Sequence, residues 1–150
     1  MKIVPCLKRA ALALGLLTST LASAGYSQLY VFGDSLSDVG NNYLAVGGAS
    51  TPAGAINAND FIPTLPYASA RYSNGPVWAE AFSQQIGTGT LLPSLMGGNG
   101  FAFGGANTGG VDNVPTLSQQ VDMFIARPGS APSDALYVIA GGGNNARDAA

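Results

Sequence analysis

Histidine is absent from all 150 residues, and cysteine occurs once, at Cys6. The first absence removes the commonest general base and metal ligand. Together they exclude a zinc site built from the usual nitrogen and sulfur ligands. A lone cysteine allows no disulfide, so core packing has to supply the stability. Lysine does not occur after Lys8, and charged residues make up only 9% of the chain. Beyond residue 24, Arg71, Arg127 and Arg147 face eight carboxylates, a net charge of −5. Such a body offers no electrostatic footprint for nucleic acid and no attraction to an anionic membrane surface. The acidic residues do not have the spacing of a calcium loop. No Gly-Lys-Ser/Thr phosphate loop occurs, and no G-x-G-x-x-G opens a helix after a strand. Neither a metal nor a cofactor is expected.

Long apolar runs are missing too. The N-terminal run, Ala10–Leu17, follows Lys2, Lys8 and Arg9 and precedes Ala22-Ser23-Ala24. A membrane span needs ~20 apolar residues, so this run is too short for an anchor. A basic patch, an apolar run and a small-residue site in that order describe a secretory signal peptide, with cleavage expected after Ala24. Residues 1–24 are therefore a leader, and 25–150 belong to an exported body: secreted, periplasmic or at the cell surface.

Within that body, Gln28–Phe32 is short, aromatic and β-branched and stops at Gly33, which predicts a buried strand. A brief helical turn is expected after Ser35. Asn41–Ser73 has no clear periodicity, and a stretch this long is often a lid or substrate-binding loop. Ser73-Asn-Gly-Pro76 reads as a helix start. It leads into Val77, Trp78, Ala81, Phe82 and Ile86 at helical spacing, with Gly87 as the stop. Gly100–Phe103 predicts a second strand closed by Gly104-Gly105. Leu117–Arg127 predicts an amphipathic helix with Leu117, Val121, Phe124 and Ile125 on one face, stopped by Pro128. Ala135–Ala140 reads as the clearest buried strand, and a further helix is expected around Ala146. Alternating strands and helices imply an α/β domain with a parallel sheet and right-handed crossovers. Three strands are few for this class, so the sheet is expected to be incomplete.

Three glycine-rich turns follow the three predicted strands: Gly33-Asp34-Ser35, Gly104-Gly105 and Gly142-Gly143-Asn144. Ligands bind at the carboxyl ends of parallel strands. If the first strand lies between the others, neighbours are ~4.8 Å apart and all three turns converge. The residue types then suit acyl transfer. Ser35 would present a hydroxyl at the cleft, while backbone N–H groups of Ser35 and Gly105 and the Asn144 amide would donate to a developing oxyanion. Blander readings exist for each: an ordinary turn, a helix-entry loop, and a helix cap at Asn144-Asn145. The segment Gly33-x-Ser35-x-Ser37 lacks the second glycine of the α/β-hydrolase nucleophile elbow. Ser35 also lacks a base, without which a hydroxyl is a weak nucleophile.

The segment Tyr30-Val-Phe-Gly-Asp-Ser-Leu-Ser-Asp-Val-Gly-Asn-Asn42 resembles the first block of the GDSL or SGNH hydrolases. Phe101-Ala-Phe-Gly-Gly-Ala-Asn107 is similar to the second block and Tyr137–Asn145 to the third, and Arg71–Glu80 also looks like sequence of this family. The resemblance implies a flavodoxin-like three-layer α/β/α fold and a Ser-His-Asp triad that hydrolyses carboxylic esters, often lipids, without metal or cofactor. It implies Ser35 as nucleophile and an oxyanion hole of Ser35, Gly105 and Asn144, with Gly104 as the one-residue alternative to Gly105. Asp34 would support the nucleophile turn and Asp38 the loop after it. Asn145 stands where the family usually has Asp, and the late Asp-x-x-His block is missing. The expectation is therefore the first part of a longer esterase, inactive as it stands, with a C-terminal autotransporter or other region beyond it. The alternative is a non-catalytic exported domain that keeps the cleft for binding.

Overall fold

The computed structural model describes residues 25–52, 63–129 and 131–150. The expected leader, and residues 53–62 of the long aperiodic stretch, lie outside the described residues. Strand β1 (Leu29–Gly33) is buried along its whole length. Its parallel neighbour is β2 (Leu136–Ala140), in a register pairing Leu29 with Leu136 and Gly33 with Ala140.

On the other side of β1 runs the extended segment 99–103. The Val31 N–H donates to Asn99 O (3.1 Å), Phe101 N–H to Val31 O (2.7 Å) and Phe103 N–H to Gly33 O (3.1 Å). The predicted strand at 100–103 is thus present as a partner, but it forms only an isolated bridge at Gly100. A side chain has taken a missing rung: the Gly33 N–H donates to Gln120 Oε1 at 2.8 Å. On the edge of the segment away from β1, Asn41 Nδ2 donates to the carbonyls of Gly100 and Ala102 at 2.8 and 2.9 Å.

Helices cover both faces of this sheet, giving the three-layer α/β/α arrangement with β1 at its centre. Strand residues alternate between faces. Leu29 and Val31 pack with Val39, Val77, Ala79 and Leu91 below helix α2 (Trp78–Gln85). Tyr30 and Phe32 pack with Phe101 against Val121, Met123 and Phe124 of helix α3 (Leu117–Ile125). Phe124 meets Tyr30, Phe32 and Phe101 edge-on at 5.0–5.8 Å, the favoured arrangement of aromatic quadrupoles.

Local chemistry sets the ends of α3. Thr116 is its N-cap, with its hydroxyl accepting from the Gln119 N–H and Gln119 Oε1 accepting from the Thr116 N–H, a capping box. The helix closes three residues before Pro128. No helix starts immediately after Ser35. The chain makes a turn, and α1 (Asn41–Ala45) begins six residues later, where the Asp38 carboxylate accepts its first N–H groups.

Four expectations need correction. In α2 the buried positions are Ala79 and Ser83, whereas Trp78 and Ala81 are exposed. In α3 the polar Gln120 is fully buried and Ile125 is 70% exposed. Both helices are therefore turned relative to the stripe read from apolar residues alone. Strand β2 alternates half-buried and exposed, with Ile139 64% exposed. Leu136 and Val138 pack against the cluster below α2, whereas Tyr137 and Ile139 lie on the opposite face, where the strand is less covered. Finally, α4 spans Gly143–Asp148, with Gly142 rather than an asparagine at its N-cap.

Candidate active site

At the carboxyl end of β1 the chain folds into a tight turn. The Ser37 N–H donates to Asp34 O at 3.0 Å and the Leu36 N–H to Asp34 Oδ1 at 3.1 Å. Asp34 is buried by this turn while Ser35, at its crest, is half-buried. The strand can deliver Ser35 there only because Gly33 has no side chain. A Cβ at that position would lie 2.5 Å from the Ala140 carbonyl oxygen of β2.

Ser35, Gly104, Gly105 and Asn144 line one cavity of about 520 Å³, so the three glycine-rich turns meet as the parallel arrangement requires. Their donors differ in availability. The Gly104 N–H is committed to Asp38 Oδ2 at 2.9 Å. No described residue accepts from the N–H of Ser35 or of Gly105. Between the two glycines left open by sequence, Gly105 is thus the one with an uncommitted donor. Asn144 is buried and gives one amide hydrogen to Ala106 O at 2.8 Å, which orients the side chain and leaves its second hydrogen over.

Behind this wall stands a set of buried polar residues. Asp38 is 1% exposed. Its Oδ1 accepts from Gly40 and Asn41 N–H at 2.8 and 2.7 Å, and its Oδ2 from Asn42 and Gly104 N–H at 3.2 and 2.9 Å. Asp38 therefore does more than close its own loop: it joins the first glycine turn to the second. Burial pushes its carboxyl above the usual 3.8, with the four N–H bonds pulling the other way. Asn42 Nδ2 donates to Gly104 O and to the Tyr72 hydroxyl, both at 2.8 Å. Burial also raises the Tyr72 phenol, so it remains protonated at neutral pH. Arg71 forks onto Glu80, whose carboxylate also accepts from Val77 N–H at the start of α2.

Sequence reasoning did not single out Asn41, Asn42, Tyr72 or Gln120. Asn41 and Asn42 end the first block, where a polar pair beside glycine is easily taken for surface. Gln120 carried a usable signal, a polar residue three positions after Leu117 on the same helical face. Asn145, at the position where an aspartate was expected, accepts from Thr108 N–H at 2.9 Å and ties α4 to the second turn. Among the described residues none is hydrogen-bonded to the Ser35 hydroxyl, and the chain has no histidine to serve it.

A family model described as GDSL-like Lipase/Acylhydrolase matches residues 29–149. A curated relative, the phosphatidylcholine-sterol acyltransferase of Aeromonas hydrophila, is 28% identical over 135 residues. That alignment takes in 85% of this chain and 37% of the relative, so the chain spans little more than a third of that protein's length.

Proposed function

Because this chain belongs to the GDSL-like lipase/acylhydrolase family, we propose that it bears the nucleophile and oxyanion hole of an exported carboxylic ester hydrolase. In this reading Ser35 Oγ attacks the ester carbonyl. The charge that develops on the carbonyl oxygen is taken up by the N–H groups of Ser35 and Gly105 and the free hydrogen of the Asn144 amide. One such donor is worth about 3 kcal/mol of barrier. The observation that supports it best is the cavity itself: three donors from turns 70 and 39 residues apart in sequence border one space beside a serine hydroxyl. The likeness to the phosphatidylcholine-sterol acyltransferase of Aeromonas hydrophila favours lipid esters as the substrate class.

The proton of Ser35 needs a base, and we place it on a histidine, held by an aspartate, in sequence beyond these 150 residues. Residues 1–24 would direct export and leave a body that begins near Gly25. Alone, the 150 residues are inactive or nearly so, since a serine hydrolase stripped of its base keeps only what binding and the oxyanion hole provide. The lack of histidine favours a second reading, an exported domain that binds an ester or glycan without turning it over.

The test uses the product of the complete reading frame with p-nitrophenyl butyrate and a fluorophosphonate probe. Hydrolysis and a covalent adduct on Ser35 are expected, both lost in Ser35→Ala. An adduct elsewhere, or hydrolysis that survives Ser35→Ala, ends the assignment. Saturable ester binding with no turnover selects the binding domain instead.

A further inference from the structure

Phe103–Ala106 forms a tight turn, closed by the Ala106 N–H donating to Phe103 O at 3.1 Å. Gly104 and Gly105 occupy its two central positions, and Gly105 has φ +87°. A positive φ at the second central residue is the mark of a type II turn; the type I form differs by rotating the central peptide half a circle. With glycine at both positions, neither form is sterically refused. The choice matters because that central peptide consists of Gly104 C=O and Gly105 N–H. The peptide is planar and trans, so the two groups point in opposite directions, and no cis bond occurs among the described residues. Whatever holds the carbonyl therefore aims the N–H.

Resting on the hydrolase reading above, we infer that Asn42 is a positioning residue for the oxyanion hole, holding Gly104 C=O so that Gly105 N–H is presented to the cavity. Asn42 Nδ2 donates to Gly104 O at 2.8 Å. In the flipped turn this carbonyl would leave the amide, and Gly105 N–H would face the Asn42 donor instead of the cavity. Asp38 secures the preceding peptide through the Gly104 N–H but says nothing about the central one. Asn42 is itself fixed: it is 6% exposed, its N–H donates to Asp38 Oδ2, and the same Nδ2 reaches the Tyr72 hydroxyl. A Cβ on Gly104 would lie 2.1 Å from the Tyr72 ring and 2.8 Å from Asn42 Nδ2, which shows how closely the two side chains abut the peptide they hold.

The experiment compares Asn42→Leu and Asn42→Asp in the complete protein with wild type. Leucine keeps the volume without the donor. A fall in kcat of about 10²-fold, the scale of a lost oxyanion donor, is expected with KM within twofold, and Ser35 should react with the fluorophosphonate more slowly in the same proportion. An aspartyl side chain recovers one donor when protonated, so the kcat of Asn42→Asp relative to wild type should rise as pH falls. A merely structural residue would change neither the split between kcat and KM nor this pH-dependent rescue. Asn42→Leu with kcat within threefold of wild type, or with a raised KM and unchanged kcat, overturns the inference. If Asn42→Leu does not fold, Asn42→Asp decides alone, and a kcat loss that is independent of pH is the adverse result. Wild type that neither turns over ester nor reacts with the probe refutes the hydrolase reading and this inference together; wild type active beside a fully active Asn42→Leu refutes the inference only.

Discussion

At the scale of single residues, adjacent glycines in this site are constrained for different reasons. Gly104 has no room, because an added Cβ would enter the Tyr72 ring at 2.1 Å. Gly105 has room, its nearest neighbour for such an atom being Val114 Cγ2 at 3.8 Å, but its φ of +87° disfavours any side chain. Gly104→Ala should therefore cost about 3 kcal/mol, the upper end for overpacking. Gly105→Ala should cost ~1 kcal/mol, the strain of a left-handed residue. Urea denaturation midpoints check the order, and equal losses would mean that Tyr72 yields without cost. Sequence placed both glycines at the cleft. It contained nothing to distinguish them, because a pair of identical residues differs only in what surrounds it.

Among elements, the join between α3 and β1 depends on one amide. Gln120 accepts from Gly33 N–H and donates to Gly33 O and Pro115 O at 2.8, 2.9 and 2.9 Å, taking the place of a strand rung just before the Ser35 turn. Gln120→Ala leaves a buried N–H without a partner, a penalty of about 1–3 kcal/mol, and opens a void. Gln120→Glu keeps the acceptor but sets a carboxylate oxygen against two carbonyl oxygens, so it should be less stable than Gln120→Ala at neutral pH. Chemical denaturation of both variants provides the comparison, and the reverse order would show that the glutamate takes up a proton on burial. The same amide explains why the predicted strand at 100–103 is only a bridge. Hydrophobic period marked where the elements lie; it could not show that a helix side chain would occupy a backbone donor.

Over the whole molecule, acidity without histidine shapes the response to pH. No side chain has an ordinary titration between pH 5 and 8, and residues 25–150 carry a net charge of −5. Among the described residues, the Asp38 carboxyl has its titration displaced upward, chiefly by burial. A folded state with the higher pKa binds the proton more tightly than the unfolded chain, so its stability grows as pH falls through that pKa and levels off below about 3.8. Wild type should therefore gain thermal stability relative to Asp38→Asn on acidification from pH 7 towards 4 at constant ionic strength. A relative loss would show that the four backbone donors outweigh burial and hold the anion.

Much was already determined by the order of residues. Runs such as Leu29–Phe32 and Leu136–Ala140 are short, apolar and rich in β-branched and aromatic residues, which reads as strand, and glycine after each strand marks where the chain must turn tightly. Local composition thus settled the α/β class and the end of the strands at which the turns gather, whereas the central place of β1 was an assumed strand order that its pairing with β2 and with residues 99–103 decided. Tertiary structure alone decided how far each element is covered, leaving Ile139 exposed on an edge and Ile125 turned outward. It also decided which polar groups meet: Asp38 with Gly104, Asn42 with the next carbonyl, Gln120 with Gly33. Those bonds join residues 62 to 87 positions apart, and a hydrogen bond acts over about 3 Å of space, a distance that only the folded chain defines.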